Sequence, residues 1–375
     1  MATIVIVGVL AESLVNFRGD LIEALVAKGH SVHAFSSPTK PETIKRITSL
    51  GAAYHSYEVQ RNGLNPIYDM RTLFSLRHMF AELQPDVVLA YTIKPVIWGG
   101  LALRILRRRT RFVTLITGAG MALQTGGIQQ RILRAMVFFL YSAALKRAHS
   151  VIFQNNDDRI FFVKNRITGF GKTYVVDGSG VNLGRFEFRP LGPSSPFVFL
   201  TIARLLRAKG LFELARAAAV VKKKYPNVVF RLVGPKDPSP DRIPSEELKN
   251  WQNCGLIEYC GASPDVRQHL AEAHVFVLPS YHEGLPRTVL EAMAVGRAIL
   301  TTDTPGCRET VIENENGFLV PVRNYERLAD RMLCLLENVD MCRRMGERSR
   351  QLAEDRFDVI RINRKMIEII EQSGM

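Results

Sequence analysis

The chain has 375 residues, too many for one comfortable hydrophobic core, so two domains are expected. Hydrophobic residues at 47% and charged residues at 23% describe packed globular units, and Met1-Ala2-Thr3 lacks the basic segment that opens a secretory signal. The net charge of +14 is uneven: residues 1–190 hold 24 Lys and Arg against 12 Asp and Glu, or +12, while 191–375 hold 26 against 24, or +2.

Ile4–Val9 reads as a first strand, Arg18–Lys28 as a helix, and Gly29-His30 turns the chain into a strand at Ser31–Phe35. Glu42–Leu50 and Met70–Leu83 are helical, and Pro85–Ala90 and Arg111–Ile116 are buried strands. Between them, Arg104, Arg107, Arg108, Arg109 and Arg111 crowd into eight positions. Arg131–Arg147 follows as an apolar helix with basic ends, and Val151–Gln154 as another strand. The unbroken apolar part of that helix, Ala135–Leu145, is too short for the roughly twenty residues a bilayer requires. It fits a buried helix or one lying in a membrane interface.

Asp177–Pro196 holds four Gly and three Pro in twenty positions and reads as a linker. The same rhythm then restarts. Strands are expected at Phe197–Ile202, Val228–Val233, Ile257–Tyr259, Val275–Leu278 and Ala298–Thr301, with helices at Leu211–Lys224 and Asp265–Glu272. Strands alternating with helices predict α/β domains, each a parallel sheet covered on both faces, and two doubly wound units facing a cleft. Val359–Gln372 is an amphipathic helix beyond the second domain's natural end.

The positive first half should face something polyanionic. Nucleic acid is not expected, because no zinc spacing, helix-turn-helix pattern or aromatic RNA-binding signature accompanies the charge. An anionic membrane surface suits a basic half that carries an apolar helix. The five cysteines, Cys254, Cys260, Cys307, Cys334 and Cys342, lack metal or redox spacing and read as reduced thiols of a cytoplasmic protein.

Leu278–Gly296 reads LPSYHEGLPRTVLEAMAVG. A strand ends at Pro279, Glu283-Gly284-Leu285-Pro286 makes a tight loop, and Arg287 begins a helix, with Pro286 suited to its first position. An exposed helix N-terminus is a site for phosphate. Glu283 and Glu291, eight residues apart, offer carboxylates to hydroxyls on either side of that phosphate, a set that fits a sugar nucleotide. A solvated loop glutamate and a helical glutamate in an ion pair is the plainer alternative. Upstream, Thr201-Ile202-Ala203-Arg204-Leu205 ends a strand and Lys209-Gly210 precedes a helix. An arginine fork and a lysine point charge at one strand-to-helix turn can reach one phosphate group together.

With PSxxEGLPxxxLEAMAxG and ARLxxxKG in place, nearly the whole chain resembles the family-four retaining glycosyltransferases of the two-domain B-type fold. The resemblance implies domains at 1–180 and 181–357, with 358–375 a helix crossing back to the first. It implies that Arg204 and Lys209 hold the donor diphosphate and stabilise the leaving nucleotide, with Glu283 on the transferred hexose and Glu291 on the ribose. The amides of Gly284, Leu285 and Arg287 would line sugar and phosphate, while Gly234 and Gly261 stand in loops at the same strand ends. No cofactor or divalent metal is expected, and no Asp-x-Asp stands at a strand end; Asp237 and Asp241 read as loop residues. The acceptor belongs in the first domain, with Asn16, Arg18, Arg61, Lys94 and Gly118 near its strand ends. The loop Gly8–Ser13 departs from the family in lacking a glycine pair. These pieces are similar to a bacterial subgroup that extends saccharides on undecaprenyl diphosphate. The function implied is transfer of an N-acetylhexosamine or hexose from a UDP-sugar to a lipid-diphosphate-linked saccharide, forming an α-glycosidic bond in surface-glycan assembly. Such an enzyme would sit peripherally on the inner face of the cell membrane. A sugar-nucleotide epimerase of related fold, or a basic membrane- or RNA-binding protein, are the alternatives.

Overall fold

Strands whose residues are apolar without interruption must be covered on both faces, and those of this chain are. The computed structural model describes residues 1–60, 65–118, 128–193 and 195–372. The chain forms two units, one drawn from Met1–Ser179 together with the chain from Ile360, the other from Gly180–Val359.

In the first unit β1 (Thr3–Val7), β2 (Ser31–Ser36), β3 (Ala53–Ser56), β4 (Val87–Tyr91), β5 (Arg111–Ile116), β6 (Ser150–Phe153) and β7 (Thr173–Val175) form one parallel sheet. Their order is β3-β2-β1-β4-β5-β6-β7. Alternation along β1 divides the core: Ile4 and Ile6 join the layer beneath helix Ala11–Ala27, while Val5 and Val7 join the layer on the other face. Among the described residues that other face carries the helices Pro66–Leu83, Ile93–Leu106, Ile128–Leu145 and Asn156–Lys164, through Leu73, Leu76, Phe80, Val96, Ile97, Tyr141, Leu145 and Phe162. The C-terminal helix Val359–Gln372 closes the first face with Ile362, Met366, Ile367, Ile369 and Ile370. Glu371 pairs with Lys28 at 2.8 Å, and Arg111 donates to the Glu371 carbonyl at 3.0 Å.

The second unit repeats the scheme with β8 (Val198–Ile202), β9 (Val229–Val233), β10 (Glu258–Tyr259), β11 (Val275–Leu278), β12 (Ala298–Thr302) and β13 (Gly317–Val320). The order is β10-β9-β8-β11-β12-β13. Both sheets therefore reverse direction beside their first strand, at β1/β4 and at β8/β11, where open α/β sheets bind ligands beyond the carboxyl ends of the strands. His274 is packed, not ligating: buried beside Phe197, it accepts the Val198 amide on Nδ1 at 3.1 Å.

Several helices are longer than their local signals. Ala11–Ala27 starts seven residues before Arg18, because Ala11, Leu14, Leu21, Ile22 and Leu25 all point into the core. Asn16, expected near a strand end, therefore lies inside this helix, and Arg18, expected to open it, lies near its middle. Pro66–Leu83 begins early because Asn65 accepts the Ile67 amide at 3.0 Å and Pro66 fills the first turn. Ile93–Leu106, read as polar strand end followed by basic stretch, is a helix whose buried face runs through Val96, Ile97, Ala102 and Leu103.

Candidate functional site

The second unit gathers the motif residues where β8 and β11 end. Gly210, at φ +68°, lets the β8 loop touch the β11 loop: a Cβ there would lie 2.0 Å from the Pro279 carbonyl oxygen. The Tyr281 amide donates to the Ala208 carbonyl at 2.9 Å, and the Tyr281 hydroxyl donates to Glu213 at 2.9 Å. Burial, then the Glu213 carboxylate, pushes that hydroxyl's pKa up to about 12. Across this clamp the Lys209 ammonium forms a short ion pair with Glu283 Oε1.

From the other side the loop after β12 braces Glu283. Gly306, at φ +79°, stacks on the peptide, where a Cβ would stand 2.5 Å from the carbonyl oxygens of both Glu283 and Gly284. The Glu283 amide donates to the Pro305 carbonyl at 3.3 Å. Helix Arg287–Val295 begins where expected, with Pro286 as its N-cap rather than its first helical residue. Leu285 turns its side chain into the core, leaving only its main chain for the site. Arg287 donates to Glu291 at 3.0 Å one turn on. Glu291 is 8% exposed, and burial raises its pKa against the pull of Arg287.

Arg204, just past β8, donates through Nη1 to Asp237 Oδ2 at 2.7 Å. Asp237, read from sequence as a loop residue, is buried. Burial works against its charge, yet the Ser239 amide and Arg204 together hold its carboxyl below the ordinary range. Only its position two residues beyond a strand-ending Gly-Pro hinted at this. Gly234 adopts φ +152° because the Ala203 carbonyl oxygen would sit 1.9 Å from any Cβ, and its amide donates to Gly261 at 2.8 Å. The structure thus brings Arg204, Lys209, Gly234, Gly261, Glu283, Gly284, Leu285, Arg287 and Glu291 to one end of one sheet.

The first unit assembles its expected residues less completely. Tyr91, at the end of β4, is buried beneath Gly8, where a Cβ would meet its hydroxyl at 2.2 Å. That hydroxyl lies 2.6 Å from Ser13 Oγ, and Tyr57 donates to the Gly8 carbonyl at 2.9 Å. Tyr57 and Tyr91 thus fill the space beneath this loop. Arg18 is 4% exposed, with its guanidinium over the ring of Tyr91 at the end of β4 at 5.1 Å. Asn16 stands on the outside of its helix, where its Oδ1 accepts from Arg46 at 3.3 Å. Lys94 begins helix Ile93–Leu106 and pairs with Asp69 of the neighbouring helix at 2.8 Å, both largely covered. Gly118 follows β5 at φ +138°. Arg61 lies outside the described residues.

Helix Ile128–Leu145 has two apolar faces. Tyr141 and Leu145 enter the core, whereas Ile128, Ile132, Met136 and Phe139 form an exposed stripe at helical spacing beside exposed Arg131 and Arg134. Ala135–Leu145, the unbroken apolar part read from the sequence, is thus mostly turned inward, and the exposed apolar stripe runs over Ile128–Phe139. Ile67, Met70 and Phe74 of helix Pro66–Leu83 are exposed likewise. Both stripes start at the end of the sheet where its strands finish. Arg107, Arg108 and Arg109 lie at the opposite end, leading into β5, where the Arg108 carbonyl accepts from Arg147 at 2.8 Å. Among the described residues no helix is long and apolar enough to cross a membrane.

Residues 185–352 match the family model of glycosyl transferases group 1, and residues 16–162 match that of the glycosyl transferase 4-like domain. The chain is 30% identical over 338 residues to a Campylobacter jejuni protein, N,N'-diacetylbacillosaminyl-diphospho-undecaprenol alpha-1,3-N-acetylgalactosaminyltransferase, covering 87% of each. Sucrose-phosphate synthase from Thermosynechococcus elongatus superposes with a TM-score of 0.81 at 20% identity over 99% of both chains. Anabaena HepE, solved with UDP, superposes at 0.77 and 19% over 99% of this chain and 100% of its own. These two likenesses establish the two-domain B-type fold. With a 30% identical relative matched over most of both chains, and a family region in each unit, the chain belongs to the family-four glycosyltransferases.

Proposed function

We propose that this glycosyltransferase moves a hexose or N-acetylhexosamine from a UDP-sugar to a saccharide carried on a lipid diphosphate. It does so with retention, forming an α-glycosidic bond in surface-glycan assembly. The observation that carries the donor half is the convergence of Arg204, Lys209, Glu283 and Glu291 at the β8/β11 switch point. Arg204 and Lys209 take the diphosphate and neutralise the charge that grows on it as the sugar–phosphate bond breaks. Glu283 holds the transferred sugar and Glu291 the ribose, so donor entry exchanges the Lys209–Glu283 and Arg287–Glu291 pairs for contacts with substrate. Two cationic side chains at the diphosphate supply the role a divalent metal would otherwise play, and turnover therefore persists in EDTA.

The acceptor half is supported by the Campylobacter jejuni relative, whose name specifies a diphospho-undecaprenol acceptor, and by the exposed stripes Ile128–Phe139 and Ile67–Phe74. Those stripes begin at the strand ends of the first unit, and Lys94 pairs with Asp69 in the first turn of the helix that carries the second of them. A lipid-anchored acceptor held there keeps its tail in an adjoining membrane, and the basic unit rests peripherally on the anionic inner leaflet.

The test is a panel of UDP-, GDP- and ADP-sugars against short-chain lipid-diphosphate saccharides, read by mass spectrometry, with the anomeric configuration of the product determined by NMR. A mass gain of one sugar from a UDP donor, in α linkage, is expected. Conversion of donor with no acceptor present would instead identify an epimerase, and a strict need for Mg²⁺ or Mn²⁺ would overturn the metal-free reading.

A further inference from the structure

Two of the three ion pairs at the donor site join groups that can both reach substrate. The third does not. The Asp237 side chain is 3% exposed, so it cannot touch a bound nucleotide sugar, whereas the Arg204 side chain that it grips is 44% exposed. The loop carrying Asp237 is stiff: Pro235, Pro238 and Pro240 each fix a backbone angle within six residues. It is also tied to the β8 loop by bridges from Leu205 to Lys236 and from Leu206 to Arg242. Asp237 Oδ1 is engaged by the Ser239 amide at 2.9 Å, which leaves Oδ2 in a set place for Arg204 Nη1 at 2.7 Å.

We propose that Asp237 is a positioning residue that anchors one side of the Arg204 guanidinium, so that its remaining donors are held toward the donor diphosphate. This rests on the assignment of Arg204 to that diphosphate under Proposed function. An unanchored arginine loses side-chain rotamer entropy when it binds, whereas one already fixed has lost it on folding. A guanidinium pre-aimed at a developing charge needs no reorganisation at the moment of reaction. The neighbouring carboxylate offsets some of the attraction for the ground-state diphosphate, so the benefit falls on kcat more than on nucleotide affinity.

The experiment is a double-mutant cycle on the full chain with the donor and acceptor that the substrate panel identifies, recording kcat, donor KM and the melting temperature of each variant. Asp237→Ala is expected to lower kcat by roughly tenfold or more with donor KM changed less than about threefold. Asp237→Asn, which keeps an acceptor for Nη1, should recover a large part of that loss. In the Arg204→Ala background the further change to Ala at 237 should alter kcat by less than about twofold, because the side chain it served is gone. Should Asp237→Ala fail to fold, Asp237→Ser, too short to reach Nη1, carries the same cycle. If Arg204→Ala cripples turnover while the position-237 variants leave kcat unchanged, or if their losses simply multiply with that of Arg204→Ala, the positioning role is wrong and the donor-site reading stands. If Arg204→Ala itself leaves kcat unaltered, the donor-site reading fails and the role of Asp237 fails with it.

Discussion

Glu283 and Glu291 belong to the same short motif but stand in different surroundings, and their substitutions should separate accordingly. Glu283→Gln is expected to cut transfer by about a hundredfold while leaving UDP affinity nearly intact, since the proposed function gives it the sugar as partner. Glu291→Ala should weaken UDP binding by about 1–3 kcal/mol, the cost of a charged hydrogen bond. Calorimetry with UDP alone distinguishes them, and equal effects would refute the division. Because burial raises the Glu291 pKa, its carboxylate is lost on acidification earlier than that of an ordinary glutamate. UDP affinity should therefore fall as pH drops through that raised value, and the difference between wild type and Glu291→Gln isolates this from the titration of UDP itself. Gly306 is a test of the brace. Its φ of +79° and the 2.5 Å approach to two carbonyl oxygens mean that Gly306→Ala should cost about 1–3 kcal/mol in thermal melts and displace Glu283, lowering kcat. Gly169→Ala, with nothing within 4 Å, should change neither.

At the scale of elements, the helix Ile128–Leu145 shows how a single apolar segment serves two faces. Its inward residues are held by the sheet, so the stripe Ile128, Ile132, Met136 and Phe139 is free to meet another apolar phase. Ile132→Glu with Phe139→Glu should lower sedimentation with anionic liposomes by roughly tenfold, because two side chains no longer insert. Thermal stability should stay within about 0.5 kcal/mol, as for other exposed positions. High salt should weaken the same binding through screening of Arg131 and Arg134. Reversal of Arg107, Arg108 and Arg109, at the far end of the sheet, should have the smaller effect. Liposome binding insensitive to the stripe and to salt would refute the membrane face.

For the whole molecule, the C-terminal helix is the element whose removal has the largest expected consequence. Ile362, Met366, Ile367, Ile369 and Ile370 bury against the first unit, each worth about 1.5–3 kcal/mol. Their sum, roughly 8–15 kcal/mol as an upper estimate, rivals the about 5–15 kcal/mol by which a domain is usually stable. A chain ending before Val359 should therefore lose the first unit to proteolysis within minutes while the second still binds UDP. Equal protease resistance of the two units in the shortened chain would contradict this.

The strands were legible because a buried parallel strand is an apolar run whatever surrounds it, and the two motifs because each has its spacing set by a single strand-to-helix turn, one after β8 and one after β11. Leu211–Lys224, Val275–Leu278 and Val359–Gln372 stand where periodicity and composition put them. Tertiary structure alone decided the partners. Asp237 reaches Arg204 across 33 positions, Glu213 reaches Tyr281 across 68, and Asp69 reaches Lys94 across 25. Arg18, expected near a strand end, stands over Tyr91 at the end of β4 and is buried, because the core side of its helix passes over that ring. Hydrophobic patterning is a local property that chain order preserves. Which charge meets which is fixed only when sheet order brings distant loops to one edge, and that order is not written in any one segment.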